Sequence, residues 1–417
     1  MFLISLTLLA QGIGAQSADL NQRILKVWDF KNTEERTRIS MTRVDRLFLE
    51  AHPGIRLEHI GFFDQEYIPA LKAALLAGSG PDVLWIHHGS EFNEYSSYLT
   101  PLESYQDEDF PDIRIESLDV CRSREGRLMA LPLTYQGMGW YYNKQIFSEA
   151  GLDPENPPTD WKDFLRVCEV LKSKGITPIA TGNNRPLTTE FIRRSLISAF
   201  FEDDEIKRFY HKGWGSQTDR FRVIIEFIKE LRDKDYFDPQ GIFRSYFGYG
   251  ADSFGSGGSA MMLGLISDTL NWKQFSDSLG KENIGYFPNL NHPGMSRPGA
   301  QLLQPAGIMV AINKDSENKE DAFAYIKHLF SQESQNILVS ELGMMIPMKN
   351  LSLPEEEYPV LKEIKKALNL PALDPELFVP SVKVGDLQYR LDDLLINTKE
   401  ISVNDYIQKM ARELLFY

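Results

Sequence analysis

The chain has 417 residues, more than one ordinary hydrophobic core accommodates, so two or three lobes are expected. Apolar residues make up 42% and charged residues 25%, the balance of a globular chain. A net charge of −14 with no basic stripe to offset it repels phosphate backbones and argues against nucleic acid as a partner.

Residues 1–18, MFLISLTLLAQGIGAQSA, carry no charged side chain. Their apolar run at 2–10 has signal-peptide length and is too short to span a bilayer. They lack the usual basic start, but small residues follow, and cleavage after Ala15 or Ala18 fits an exported chain. A buried first strand is the competing reading, and the polar stretch 19–23 interrupts it too soon. There is no Cys near the cleavage region, so no lipid anchor is expected. No later stretch reaches the ~18 apolar residues of a membrane span, so a soluble periplasmic or extracellular protein is expected.

Residues 24–28 (ILKVW) read as a strand, and 36–50 as an amphipathic helix with Ile39, Val44, Leu47 and Phe48 inward, stopped by His52-Pro53-Gly54. A strand at 55–60, a helix at 67–77 and a strand at 83–86 follow. This βαβαβ start implies a parallel sheet with helices on its faces. Ligands sit at the carboxyl ends of such strands, which singles out Asp29-Phe30, Gly61-Phe62 and His87-His88.

Residues 128–133 (LMALPL) contain Pro132, which cannot donate to a ladder, and read as an edge strand or a crossing segment. Residues 139–143 (GWYYN) form an aromatic strand, and 144–150 a helix closed by Gly151. Thr159 is expected to cap the next helix, which ends at Gly175, before a strand at 176–180. Helices dominate 188–234, around an aromatic loop at Gly213-Trp214-Gly215. Residues 253–259 (SFGSGGS) read as a flexible tract without the Gly-Lys-Ser/Thr of a phosphate loop. Strands at 260–265, 284–287 and 306–312, helices at 318–330 and 333–341, and a mostly helical tail complete the chain. The acidic runs 107–112 and 355–357 read as solvated faces. Cys168 falls on the apolar face of the helix at 161–172. It is expected to be a free, buried thiol, a disulfide to Cys121 being the lesser reading. Nothing has metal-ligand spacing.

Several stretches together resemble the family 1 extracellular solute-binding proteins, the maltose-binding-protein-like components of ABC importers. They include LKVWDF (25–30), ALKAALLAGSGPDVLWI (70–86), GRLMALPLTYQGMGWYYNKQIFSEAGLD (126–153), PPTDWKDFLRVCEVLKSKGITPIATG (157–182), FGSGGSAMMLG (254–264) and AGIMVAINKDSENKEDAFAYIKHLFSQESQ (306–335). They run in family order and cover most of the chain. The resemblance implies an α/β, two-lobed periplasmic-binding-protein fold of type II, each lobe a mainly parallel sheet flanked by helices. After the signal peptide at 1–18, lobe I would hold 19–130 plus 288–334, and lobe II 131–287 plus 335–417. Hinge segments would join them, with the ligand between. It also implies a monomer that captures a small carbohydrate, hands it to membrane permease subunits, and uses no cofactor or metal.

A sugar site needs amides or carboxylates for hydroxyls and flat aromatics for ring faces. From lobe I the candidates are Asp29, Phe30, Phe62, His87 and His88. The plain alternatives are that Phe30 and Phe62 pack and that Asp29 caps a turn. Asp82 reads as a structural turn residue. From lobe II, Gln136 follows the crossing strand, where the family often presents an acceptor. Asn183 follows the strand at 176–180 or simply forms a turn. Trp214 lies between two glycines, as a stacking platform or a loop anchor. Asp268 either accepts sugar hydroxyls or pairs with Arg297. Trp272 replaces a family tryptophan from a displaced position or packs as core. A hydrolase is disfavoured, because neither Gly-x-Ser-x-Gly nor His-Glu-x-x-His occurs. A sensor docking on a receptor kinase is the alternative function.

Overall fold

The computed structural model describes residues 22–33, 35–211, 218–267, 270–370, 372–379 and 382–416. The leader expected at 1–18 lies outside them. The chain opens with β1 (Arg23–Asp29), α1 (Glu35–Ala51), β2 (Ile55–Gly61), α2 (Asp64–Leu76) and β3 (Val83–His87). β1 pairs in parallel with both β2 and β3, so the βαβαβ reading holds. α1 buries Thr37, Ser40, Met41, Val44 and Phe48, whereas Ile39, expected inward, is 53% exposed. The helix is rotated because its inner face meets a later helix through polar contacts, among them Ser40 Oγ donating to Glu341 at 2.7 Å.

Short helices α3 (Ser90–Tyr95) and α4 (Ile115–Asp119) lead to the long strand β4 (Leu131–Asn143). Then come α5 (Lys144–Ala150), α6 (Trp161–Ser173), β5 (Thr177–Ile179), α7 (Leu187–Phe200), α8 (Asp203–His211), α9 (Thr218–Asp233), α10 (Ala251–Gly255) and β6 (Ser259–Leu265). The cap of α6 is Asp160, not Thr159: its carboxylate accepts from the backbone of Asp163 at 2.8 Å. The glycine-rich tract at 253–259 is an ordered helix end and turn. Ser253 Oγ lies 2.8 Å from Ser259 Oγ, and Gly257 takes the positive φ that the turn needs.

The remainder comprises α11 (Asn271–Leu279), β7 (Ile284–Phe287), β8 (Gln301–Ile312), α12 (Lys319–Leu329), α13 (Gln332–Leu342), α14 (Val360–Ala367), β9 (Ala372–Leu373), α15 (Val382–Ile396) and α16 (Val403–Leu414). The strand order is β2-β1-β3-β8-β4-β6-β5, with β7 on β4 and β9 on β8.

Two separate apolar clusters sit along this sheet. The first includes Leu25, Phe48, Trp85, Leu133, Ile308 and Ile326; the second includes Tyr135, Trp140, Phe164, Leu263, Leu303 and Tyr406. Membership changes between Leu133 and Tyr135 on β4, and between Leu303 and Ala306 on β8. Both strands therefore pass through both lobes. A third crossing follows α13: Tyr135 donates its backbone N–H to Met345 O at 2.7 Å, and Met345 donates its own to Ser267 Oγ at 2.9 Å. Leu290, Met295 and Leu303, expected in the first lobe, pack in the second cluster, because β8 starts there before crossing. Cys121 and Cys168 are both free and lie in different clusters, which excludes a bond between them.

The helical tail closes over the second lobe. Arg193 and Asp392 form a buried ion pair at 3.0 Å, and Tyr406 donates to the same carboxylate at 2.9 Å. A buried pair contributes little net stability, but its hydrogen bonds fix the tail on α7.

Candidate ligand-binding groove

The first wall is built from the carboxyl ends of β1, β2 and β3. Asp29 is fully buried, and its Oδ1 accepts from the backbone of Lys31 and Asn32, both at 2.6 Å. Its Oδ2 lies 2.5 Å from His59 Nε2. This carboxylate therefore shapes the turn after β1, and the capping alternative is the one observed. The turn holds the Phe30 ring against His87, with centroids 4.1 Å apart and planes 27° from parallel. Phe30 is only 6% exposed, while the side chain of His87 is partly open and leans on Glu91 at 3.0 Å. Phe62 packs on Trp28, with centroids 4.8 Å apart.

The floor is made by the crossing strands. Gln136 on β4 lies opposite Gln304 on β8. They line a cavity of about 80 Å³ together with Phe191 and Arg194 of α7 and Phe247 of the loop before α10. Tyr246 anchors that loop by donating to Leu263 O at 2.6 Å, which leaves the neighbouring Phe247 57% exposed. Arg194 donates to Glu190 at 3.1 Å and to both oxygens of Asp374 at 3.0 and 2.9 Å. The Gln304 amide donates to Asp374 as well.

His88 reaches this floor from the first lobe. Its backbone N–H donates to Gly307 O on β8 at 3.2 Å. Its Nδ1 is enclosed and has no hydrogen-bond partner. Burial holds its pKa down at about 4; Asp374 pulls it upward and Arg194 pushes it downward. The imidazole is therefore neutral near pH 7 and presents an unanswered polar atom where the lobes meet.

Of the predicted contacts, Gln136 lines the floor cavity, His88 is tied by its backbone to Gly307 next to Gln136, and Phe30 and His87 form the wall beside it. Asn183 does not face the groove. It is fully buried, and its amide donates to Thr189 at 3.0 Å and to Asn397 of the tail at 2.8 Å. Trp272 is 1% exposed, packed edge-on against Tyr358 in the second lobe. Trp214 and Asp268 lie outside the described residues, and Arg297 pairs with Asp203 at 3.2 Å. Sequence reasoning missed Arg194, Phe247, Gln304 and Asp374. Two signals were available: paired arginines flanked by apolar residues at 191–192 and 196–197, and the aromatic cluster 246–249 (YFGY) among glycines. Two larger open grooves, of about 1180 and 1240 Å³, are lined by none of the predicted contacts.

Residues 34–336 match the family model described as bacterial extracellular solute-binding protein. An uncharacterised ABC transporter extracellular-binding protein of Pyrococcus horikoshii is 22% identical over 363 residues, covering 83% of this chain and 77% of that one. A solved chitin oligosaccharide binding protein superposes with a TM-score of 0.76 at 22% identity, over 94% of this chain and 98% of that one. The maltose-bound MalE3 of T. maritima superposes at 0.75 and 20% identity, over 94% and 99%. At these identities the structural likeness establishes the fold, which is that of two-lobed periplasmic solute-binding proteins.

Proposed function

The chain belongs to the bacterial extracellular solute-binding protein family and is the solute-binding component of an ABC transporter; on that premise we propose that its solute is a carbohydrate held at the groove floor. The family and fold are those of binding proteins rather than enzymes. Among the described residues no helix is long and apolar enough to cross a membrane.

The observation that carries the reading is the unpartnered His88 Nδ1, on a residue whose backbone bonds Gly307 next to Gln136, together with a cavity lined by the Gln136 and Gln304 side chains and the exposed Phe247 ring. Hydroxyls pair with the imidazole and the two amides, and a sugar ring face stacks on Phe247. Two structural neighbours, a chitin oligosaccharide binding protein and a maltose-bound MalE3, support the same class. Enclosure between lobes strengthens such polar contacts by removing water.

A thermal-shift screen against carbohydrates, amino acids and polyamines tests the assignment. A carbohydrate at a hundredfold excess over its Kd adds about 2.7 kcal/mol and raises the midpoint by roughly 3 °C for a chain of this size. A shift with amino acids or polyamines and none with carbohydrates contradicts it.

A further inference from the structure

We propose that Asp374 is a specificity-determining residue: it occupies, from within the chain, the place on Arg194 that the carboxylate or phosphate of an acidic ligand would take. The groove is thereby restricted to solutes without an anionic group. The inference rests on the reading of the groove floor as the solute site.

Arg194 is the one charged side chain lining the floor cavity among the described residues. A guanidinium with a fork directed at a planar or tetrahedral anion is the usual device for recognising acidic ligands. Here that fork is already engaged. Both oxygens of Asp374 accept from one terminal nitrogen, at 3.0 and 2.9 Å, and Glu190 accepts from the other at 3.1 Å. Asp374 is fully buried and Glu190 is 4% exposed, so neither carboxylate is diluted by solvent. Gln304 adds a further hydrogen bond to Asp374. His88 faces the same pair across the lobes as a neutral ring. An incoming anion must therefore compete with two buried carboxylates for this guanidinium, where an arginine without them would attract it.

The carboxylate has an unusual origin. Asp374 directly follows β9, a two-residue strand held on β8 by the pairings Ala372 with Gln301 and Leu373 with Leu302. It lies beyond the stretch 34–336 that matches the family model. The tail thus reaches back along a crossing strand and delivers a charge to the site, so ligand selection depends on a segment whose pattern predicted a mostly helical tail.

The test uses the full chain and isothermal titration with inorganic phosphate. Wild type is expected to show no phosphate binding tighter than about 10 mM. The near-isosteric D374N variant releases one charge from Arg194 and is expected to bind phosphate about tenfold more tightly, with an affinity that falls as salt rises. Adding R194Q to D374N should abolish the gain. The proposal is overturned if wild type binds phosphate at or below about 1 mM, if D374N gains nothing, or if the gain survives R194Q. Should D374N melt below the working temperature, the wild-type titration decides alone. Carbohydrate titrated into wild type reports separately on the proposed solute class, so failure of that class and failure of the anion block are told apart.

Discussion

His59 shows how much of the groove wall depends on one ring that never reaches the groove. Its Nε2 lies 2.5 Å from Asp29 and its Nδ1 2.7 Å from Asp45, which also accepts from Tyr325 OH at 2.7 Å. Burial opposes its charge, but the hydrogen bonds and charges of Asp29 and Asp45 outweigh that and raise its pKa to about 10. Because the folded value lies above the unfolded one, the stabilisation is full below about pH 6.5 and is lost as pH rises through about 10. Urea unfolding from pH 6 to pH 10.5 should therefore show a loss of stability in wild type that is absent in H59Q. H59Q should also be about 3 kcal/mol less stable at pH 7, because the buried Asp29 and the partly buried Asp45 lose their partner. Parallel pH profiles for the two proteins would contradict the network. At this scale the sequence shows which residues stand at strand ends but not which way they point. Asp29, Phe30, His87 and His88 are legible because β1 and β3 end there. Asn183 follows the same rule and turns inward, where Asn397 holds it, and Trp272, expected from the family pattern at a displaced position, packs on Tyr358.

The crossing strands β4 and β8 explain the main differences in element boundaries. Pro132 and the aromatic run at 139–143 suggest two strands, yet one strand runs from Leu131 to Asn143. It tolerates the proline through register shifts on either side of Thr134, where the pairing with β8 is broken. Gln136 emerges just after the second shift, so the irregularity aims the predicted contact at the floor. Gly307 permits the close approach: a Cβ there would stand 2.4 Å from the Gln136 Cβ. G307A is expected to cost about 1–3 kcal/mol by overpacking and to weaken carbohydrate binding by displacing Gln136. G54A, where an added Cβ meets nothing within 4 Å, serves as the control. Urea unfolding and calorimetric titration measure the two effects. Unchanged affinity in G307A would place the solute away from this strand pair. Periodicity located the helices well, because their buried faces are apolar, but it rotated α1, whose inner face is partly polar. The contribution of β9 and Asp374 was not legible, since a two-residue strand carries no period and its partner lies far back along the chain.

At the scale of the whole molecule, the alternation of strands and helices and the family-like order of motifs were sufficient to anticipate two lobes. They were insufficient to place the seams, because a strand that serves both lobes has no compositional break at the seam. Two apolar clusters joined by three crossings form a hinge-capable body, and the unpartnered His88 Nδ1 lies where the lobes meet. A solute that contacts both walls favours the closed arrangement only through its greater affinity for it. The most direct measurement is small-angle X-ray scattering of the full chain, with and without a saturating amount of the carbohydrate that most raises its melting temperature. The account predicts a smaller radius of gyration with the sugar present, as hinge bending brings the lobes together. An unchanged radius at proven saturation would contradict capture between the lobes.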